Sequence, residues 1–184
     1  MTRYEIDKNH SDLGFRAKHM VFTTVRGHFA EYEGYVETED GDYSKASGEV
    51  TLQVASINSS NEKRDEHLRS GDFFDAAAYP TITFRPTAIA AQGGDRYAVT
   101  GDLTIRKETR PIELDVKVEG RIAKDAFGME RIAVSATGTI NRKDWGLNWN
   151  MALETGGFLV SEEIKIEVEA AFVAAAKVRA ETAA

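Results

Sequence analysis

The chain contains no cysteine. Disulfide bonds, thiol catalysis and thiolate-held metals are thereby excluded, and the composition fits a reducing compartment. It also lacks an excess of positive charge. A formal net charge of −7 is the opposite of the basic stripe that a nucleic-acid backbone requires, and it disfavours docking by charge on an anionic membrane. No apolar run approaches the roughly 20 residues of a membrane-spanning helix. Met1-Thr2-Arg3 is followed at once by Tyr4-Glu5-Ile6-Asp7, with no apolar run of the length that the core of a secretory leader needs. The expectation is a cytoplasmic protein, or a periplasmic or exported one if a leader peptide has been removed.

Helix signals are scarce as well, and strand signals fill the space. The 184 residues, 42% hydrophobic and 29% charged, suffice for one domain with a substantial core. That domain is expected over 1–173, with 174–184 forming an Ala-rich tail that is helical or flexible. Eight segments alternate with period two. They run from Leu13 to Met20, Val25 to Thr38, Ala46 to Ile57, Thr81 to Ala91, Arg96 to Ile105, Ile112 to Glu119, Arg131 to Asn141, and Glu163 to Phe172. In the second, alternation breaks near Glu31, between Phe29 and Tyr32, which suggests a bulge. Gln92-Gly93-Gly94-Asp95 reads as a hairpin turn.

One convincing helix lies between the third and fourth segments, with Ser60 or Asn61 as its N-cap. It is followed by Leu68, Phe73 and Phe74, which require an apolar surface to lie on. A sheet with one apolar face and a single short helix must close into a barrel or fold into a sandwich. Eight strands sit at the size where a barrel is either just filled by side chains or holds one small ligand. Ala17, Gly27, Gly34, Gly101, Ala136 and Gly138 fall on the inward list. They read either as bends at barrel corners or as room for a lumen, and the alternation places several of them together.

The inward candidates for a ligand follow the same register. Phe15, Ala17 and His19 come from the first segment, Phe29 from the second, and Leu52 and Val54 from the third. Ile82 and Phe84 come from the fourth, Val99 and Leu103 from the fifth, Val134 and Ala136 from the seventh, and Ile164 and Ile166 from the eighth. Trp145, Trp149, Met151 and Phe158 occupy a turn-rich, Gly-containing stretch. They read either as an apolar lid over an opening or as core sealing the barrel's end.

Among polar residues, His10, His19 and His28 recur every nine positions. They fall on different strands or strand ends without accompanying carboxylates at ligand spacing, so no metal site is expected. His19 shares the register of Leu13, Phe15 and Ala17, and there would bond either a ligand head group or a backbone carbonyl. Arg64 and His67 share a helix face while Asp65 turns away. With no nucleophile beside them, they read as a helix-anchoring network. Lys107, Arg110 and Arg142 are the candidates for holding a phosphate-bearing head group.

Several motifs resemble the YceI-like family over almost the full length. They are Ile6-Asp7 with His10-Ser11 and Phe15, Lys18-His19, Val25-Arg26-Gly27-His28-Phe29, Ser56-Ile57-Asn58, Arg64-Asp65-Glu66-His67-Leu68, Asp72-Phe73-Phe74-Asp75 and Tyr79-Pro80. Downstream follow Gly101-Asp102-Leu103-Thr104, Thr109-Arg110-Pro111, Asn141-Arg142 with Trp145-Gly146, and Val160-Ser161-Glu162-Glu163. The resemblance implies an all-β, eight-stranded antiparallel lipocalin-like barrel with one short helix covering an end. It further implies a bound polyisoprenoid or similar long-chain lipid, sometimes within a homodimer, in a family whose members are often exported. One departure is visible: Lys107-Glu108 follows the strand ending at Ile105, where the family usually has a glycine.

These features lead to the expectation of a non-enzymatic protein that carries or stores a long-chain isoprenoid, polyprenyl lipid or quinone in the lumen, with no other cofactor. The rivals are an enzyme on a lipid-like substrate with His19 as acid or base, and a stress-related structural protein whose barrel is solid.

Overall fold

The structure is a computed structural model and describes residues 1–175. Eleven strands appear in order: β1 (Thr2–Ile6), β2 (Asp12–His19), β3 (Thr23–Phe29), β4 (Tyr32–Glu39), β5 (Asp42–Gln53), β6 (Ile57–Asn58), β7 (Thr81–Gly93), β8 (Arg96–Ile105), β9 (Glu108–Ile122), β10 (Arg131–Asn141) and β11 (Val160–Ala174). The α1 helix (Glu62–Arg69) stands between β6 and β7. Asn61 is its N-cap, accepting from the Arg64 backbone N–H at 3.0 Å and so satisfying one of the orphan donors of the first turn.

All pairings are antiparallel, and the ring β1–β4–β5–β7–β8–β9–β10–β11 closes where β11 returns to β1. Eight strands therefore form the expected barrel. Strand β11 is long enough to serve two neighbours on one edge. Its Phe172–Ala174 end pairs with Ile6–Tyr4 of β1, while Val160–Glu169 pairs with β2. Beyond β2 the wall continues through β3 to β6.

The expected single segment from Val25 to Thr38 is two strands. A β-bulge would keep one ladder running, but here the chain turns a corner at Ala30 and Glu31. Their backbone N–H groups bond to the Ser56 carbonyl at 3.1 Å and the Ser56 hydroxyl at 2.9 Å. Short 3₁₀ turns over Lys8–His10 and Val54–Ser56 make matching corners on the flanking strands, so three adjacent strands bend together and fold the wall over one end. Ala174 ends β11 instead of beginning a tail. The expected tail lies, from residue 176 on, outside the described residues.

Two packed clusters stand at the ends of the barrel. The larger joins Phe29, Val54, Ile57, Phe73, Ile82, Leu103, Ile105, Trp145 and Leu147, beneath α1 and the turn that follows it. The smaller joins Tyr4, Ile132, Ala170 and Phe172. The inward glycines lie against neighbours that fill them. A Cβ on Gly27 would stand 2.5 Å from the Phe15 ring, and one on Gly138 would stand 2.7 Å from a Leu114 methyl. Gly101 lies in the same way under the Phe84 ring. These glycines seat large side chains from adjacent strands, as aromatic rings cover glycine notches in strongly curved sheets.

Candidate functional site: an apolar cavity through the barrel

Between the two clusters lies a cavity of about 680 Å³, in the size range of single-ligand pockets. Alternation builds it. Each strand turns every second side chain inward, and the paired registers bring those side chains to matching depth. Ile164 and Ile166 of β11 stand opposite Ala17 and Phe15 of β2, and Val134 and Ala136 of β10 opposite Val118 and Val116 of β9. All of these line the cavity.

Most of the expected ligand residues reach the lining: Phe15, Ala17, His19, Phe29, Leu52, Ile82, Phe84, Val99, Leu103, Val134, Ala136, Trp149, Ile164 and Ile166. Four do not. Val54 is 1% exposed within the packed cluster, since its strand has just turned the Val54–Ser56 corner. Trp145 is core and not lid: its indole N–H donates to the Leu103 carbonyl at 3.0 Å, and the ring is 3% exposed. Met151 and Phe158 point outward, 55% and 58% exposed.

The cationic candidates need correction too. Lys107 sits exposed in the β8–β9 turn, off the cavity, and Arg110 donates to the Asp144 carbonyl at 2.6 Å on the outside. Arg142 does reach the lining, yet its guanidinium donates to the carbonyls of Leu147, Trp149, Ser161 and Val160. Burial pushes its pKa down, and its donors are spent on holding backbone.

The polar groups at the mouth come from elsewhere. Lys18, Asn61 and Lys63 are exposed and line the cavity, with His19, Arg64 and His67 beside them. The mouth therefore opens between α1 and the end of β2. His67 forms one jamb: its ring meets Trp149 edge-on at 4.5 Å, and its Nε2 lies 2.9 Å from Asp72. Arg64 is anchored at Ser59, donating to its hydroxyl at 2.8 Å and its carbonyl at 2.6 Å, while buried Asp65 accepts from the Ser59 N–H and hydroxyl. Among the described residues no carboxylate hydrogen-bonds His19. His10 instead pairs with Asp7 at 2.7 Å, and His28 lies at the β3–β6 pairing.

A second stretch of lining lies where β5 and β7 part. Their pairing stops at Val50 and Phe84, and Ala46–Glu49 and Pro86 face the cavity beyond it, with Glu49 and Arg85 forming an ion pair across the seam. The far end is aromatic. Tyr43 and Tyr97 meet edge to face at 5.9 Å, and Tyr4 is 2% exposed. Burial raises the phenol pKa of both Tyr4 and Tyr43, with the Glu130 carboxylate adding to the effect at Tyr4.

Sequence reasoning missed Tyr4 and Ile6, because a five-residue strand carries too little periodicity to stand out. It also passed over Tyr97, Leu114, Val116, Val118, Val168 and Phe172, although their alternation placed them on apolar faces. Arg64 and His67 shared a recognised helix face, but only the fold shows that this face borders an opening.

The fold has counterparts. The model of the YceI-like domain matches residues 4–172. A UPF0312 protein of Staphylococcus aureus (strain N315) is 38% identical over 172 residues, 94% of this chain and 98% of its own. Among solved structures, Burkholderia cenocepacia BcnA superposes with a TM-score of 0.78 at 25% identity, covering 90% of this chain and 98% of that one. A polyisoprenoid binding domain from Saccharophagus degradans, implicated in plant cell wall breakdown, superposes with a TM-score of 0.68 at 17% identity, covering 94% and 98%; at that identity the likeness is one of fold. Motif, length and barrel agree, and the chain belongs to the YceI-like family.

Proposed function

We propose that the barrel binds one long-chain isoprenoid or similar lipid, a polyprenyl lipid or a quinone, and carries or stores it without chemical change. The supporting observation is the 680 Å³ cavity, whose lining is almost wholly aliphatic and aromatic. Removing several hundred Å² of hydrocarbon from water contributes on the order of 10 kcal/mol before association costs, at about 25 cal/mol per Å². No single hydrogen bond in such a site competes with that term. The binding described for the Saccharophagus domain supports the same reading. A polar head would lie at the mouth, beside His19, Lys18 and Arg64, with the chain running toward Tyr43 and Tyr97. Lys107 and Arg110 play no part in this arrangement.

Organic extraction of the purified protein, followed by mass spectrometry, tests the proposal. A polyprenyl or quinone species recovered near one per protein is the expected result. An extract free of such lipid, from a protein that also fails to take up polyprenol added in detergent, would overturn it.

A further inference from the structure

The large apolar side chains left in solvent around the mouth form one surface. The β2–β3 turn exposes three in succession: Met20 at 53%, Val21 at 49% and Phe22 at 87%. The loop before β11 adds Met151 and Phe158. Backbone hydrogen bonds join the two loops, from Met20 N–H to the Leu159 carbonyl at 2.8 Å and from Leu159 N–H to the Met151 carbonyl at 2.9 Å. A Cβ on Gly157 would stand 3.1 Å from a Val21 methyl.

The turn itself is costly for what it displays. Met20 and Val21 adopt φ of 51° and 70°, a left-handed conformation that β-branched residues avoid. Glycine, asparagine or aspartate would relieve that cost in water. The surface is also continuous with the cavity, because Lys18 and His19 precede the turn, and Leu159 and Val160 follow Phe158 on the lining. The patch is the outer lip of the opening.

We propose that this lip seats in the headgroup–hydrocarbon boundary of a phospholipid bilayer and that the ligand passes through it. The inference rests on the lipid-binding reading above. A long hydrocarbon chain resides in bilayers, and every methylene drawn through water adds to the cost of transfer. An apolar lip continuous with an apolar cavity removes that step. The attraction is hydrophobic, not electrostatic. The chain carries a net charge of −7, and the exposed charges beside the lip are of both signs, Lys18 and Lys63 at the mouth and Glu154 in the loop, so anionic lipid is not required.

The experiment is flotation of the full chain with phosphatidylcholine vesicles, comparing the natural sequence with Phe22→Asp/Phe158→Asp and with the milder Phe22→Ser. The natural chain floats with neutral vesicles, undiminished by high salt. The double variant partitions at least about tenfold less, while keeping its melting temperature and its uptake of polyprenol delivered in detergent. No partition into neutral vesicles, or equal partition by both variants, overturns the proposal whatever the cavity holds. A natural chain that is dimeric by light scattering, is made monomeric by the double variant and ignores vesicles assigns the patch to a second copy instead. Vesicle binding by a protein that yields no lipid on extraction and takes up no added polyprenol leaves the lip standing and removes the cavity reading.

Discussion

Asp7 ties together pieces of chain that are far apart in sequence. It accepts from Arg131 across the barrel end, from the His10 ring at 2.7 Å and from the Asn9 backbone N–H at 3.0 Å. The Arg131 hydrogen bond is the largest cause of a carboxyl pKa lowered to about 2, against the opposing effect of partial burial. A carboxylate whose folded pKa is depressed contributes stability that is complete above its unfolded pKa and lost as pH falls toward the folded one. Stability is therefore expected to fall between about pH 4 and pH 2, and Asp7→Asn to flatten that limb while costing about 1–2 kcal/mol at neutral pH. Urea midpoints measured against pH check both. Residue-level reading of the sequence found Asp7 only as part of a motif. Its partner stands 124 positions away, a distance that no local pattern reports. The glycines show the same limit: their inward register was legible, but not the Phe15 and Phe84 rings that occupy the space above them.

Arg142 belongs to the scale of elements, since it fastens the 147–161 loop to the barrel end. A buried guanidinium with donors spread among four carbonyls is a clamp whose loss strands acceptors on more than one side. Arg142→Met is expected to cost about 2–4 kcal/mol, and Arg142→Lys to recover little, because one ammonium cannot span the same positions. Thermal melts and limited proteolysis within the loop measure this. If Arg142 were instead a free head-group ligand, Arg142→Met would leave the melt unchanged. Elements were legible where periodicity was long. The alternating faces of β8 to β11 followed directly from sequence, and the break at Glu31 was visible as a lapse in alternation. That the lapse is a corner became apparent only with Ser56, which supplies the bonding from another strand.

For the whole molecule, the decisive feature is that the two end clusters do not meet. Val134 lies on the lining in the first half of β10, half-buried, at the inner edge of the smaller end cluster. Val134→Trp is therefore expected to occupy the lumen and lower polyprenol uptake at least about tenfold, with little change in melting temperature. Leu103 would not serve the same purpose, being 7% exposed within the packed cluster and holding Trp145 through its carbonyl. Unchanged uptake in Val134→Trp would move the ligand out of the barrel.

Alternation by itself determined that this chain makes an antiparallel sheet with one oily face, because side-chain direction in a strand depends only on the parity of position. The excess of strands over helix then required the sheet to close on itself or to fold into a sandwich. Whether the enclosed space is filled was decided by tertiary structure alone. Volume depends on which side chains meet across the axis and which fall into glycine notches, and both are set by register and corners built from distant residues. The same holds for the lip of Met20, Val21, Phe22, Met151 and Phe158: only Met151 and Phe158 stand out in sequence, as lid or core, and the five become one surface only when β2, β3 and β11 come together.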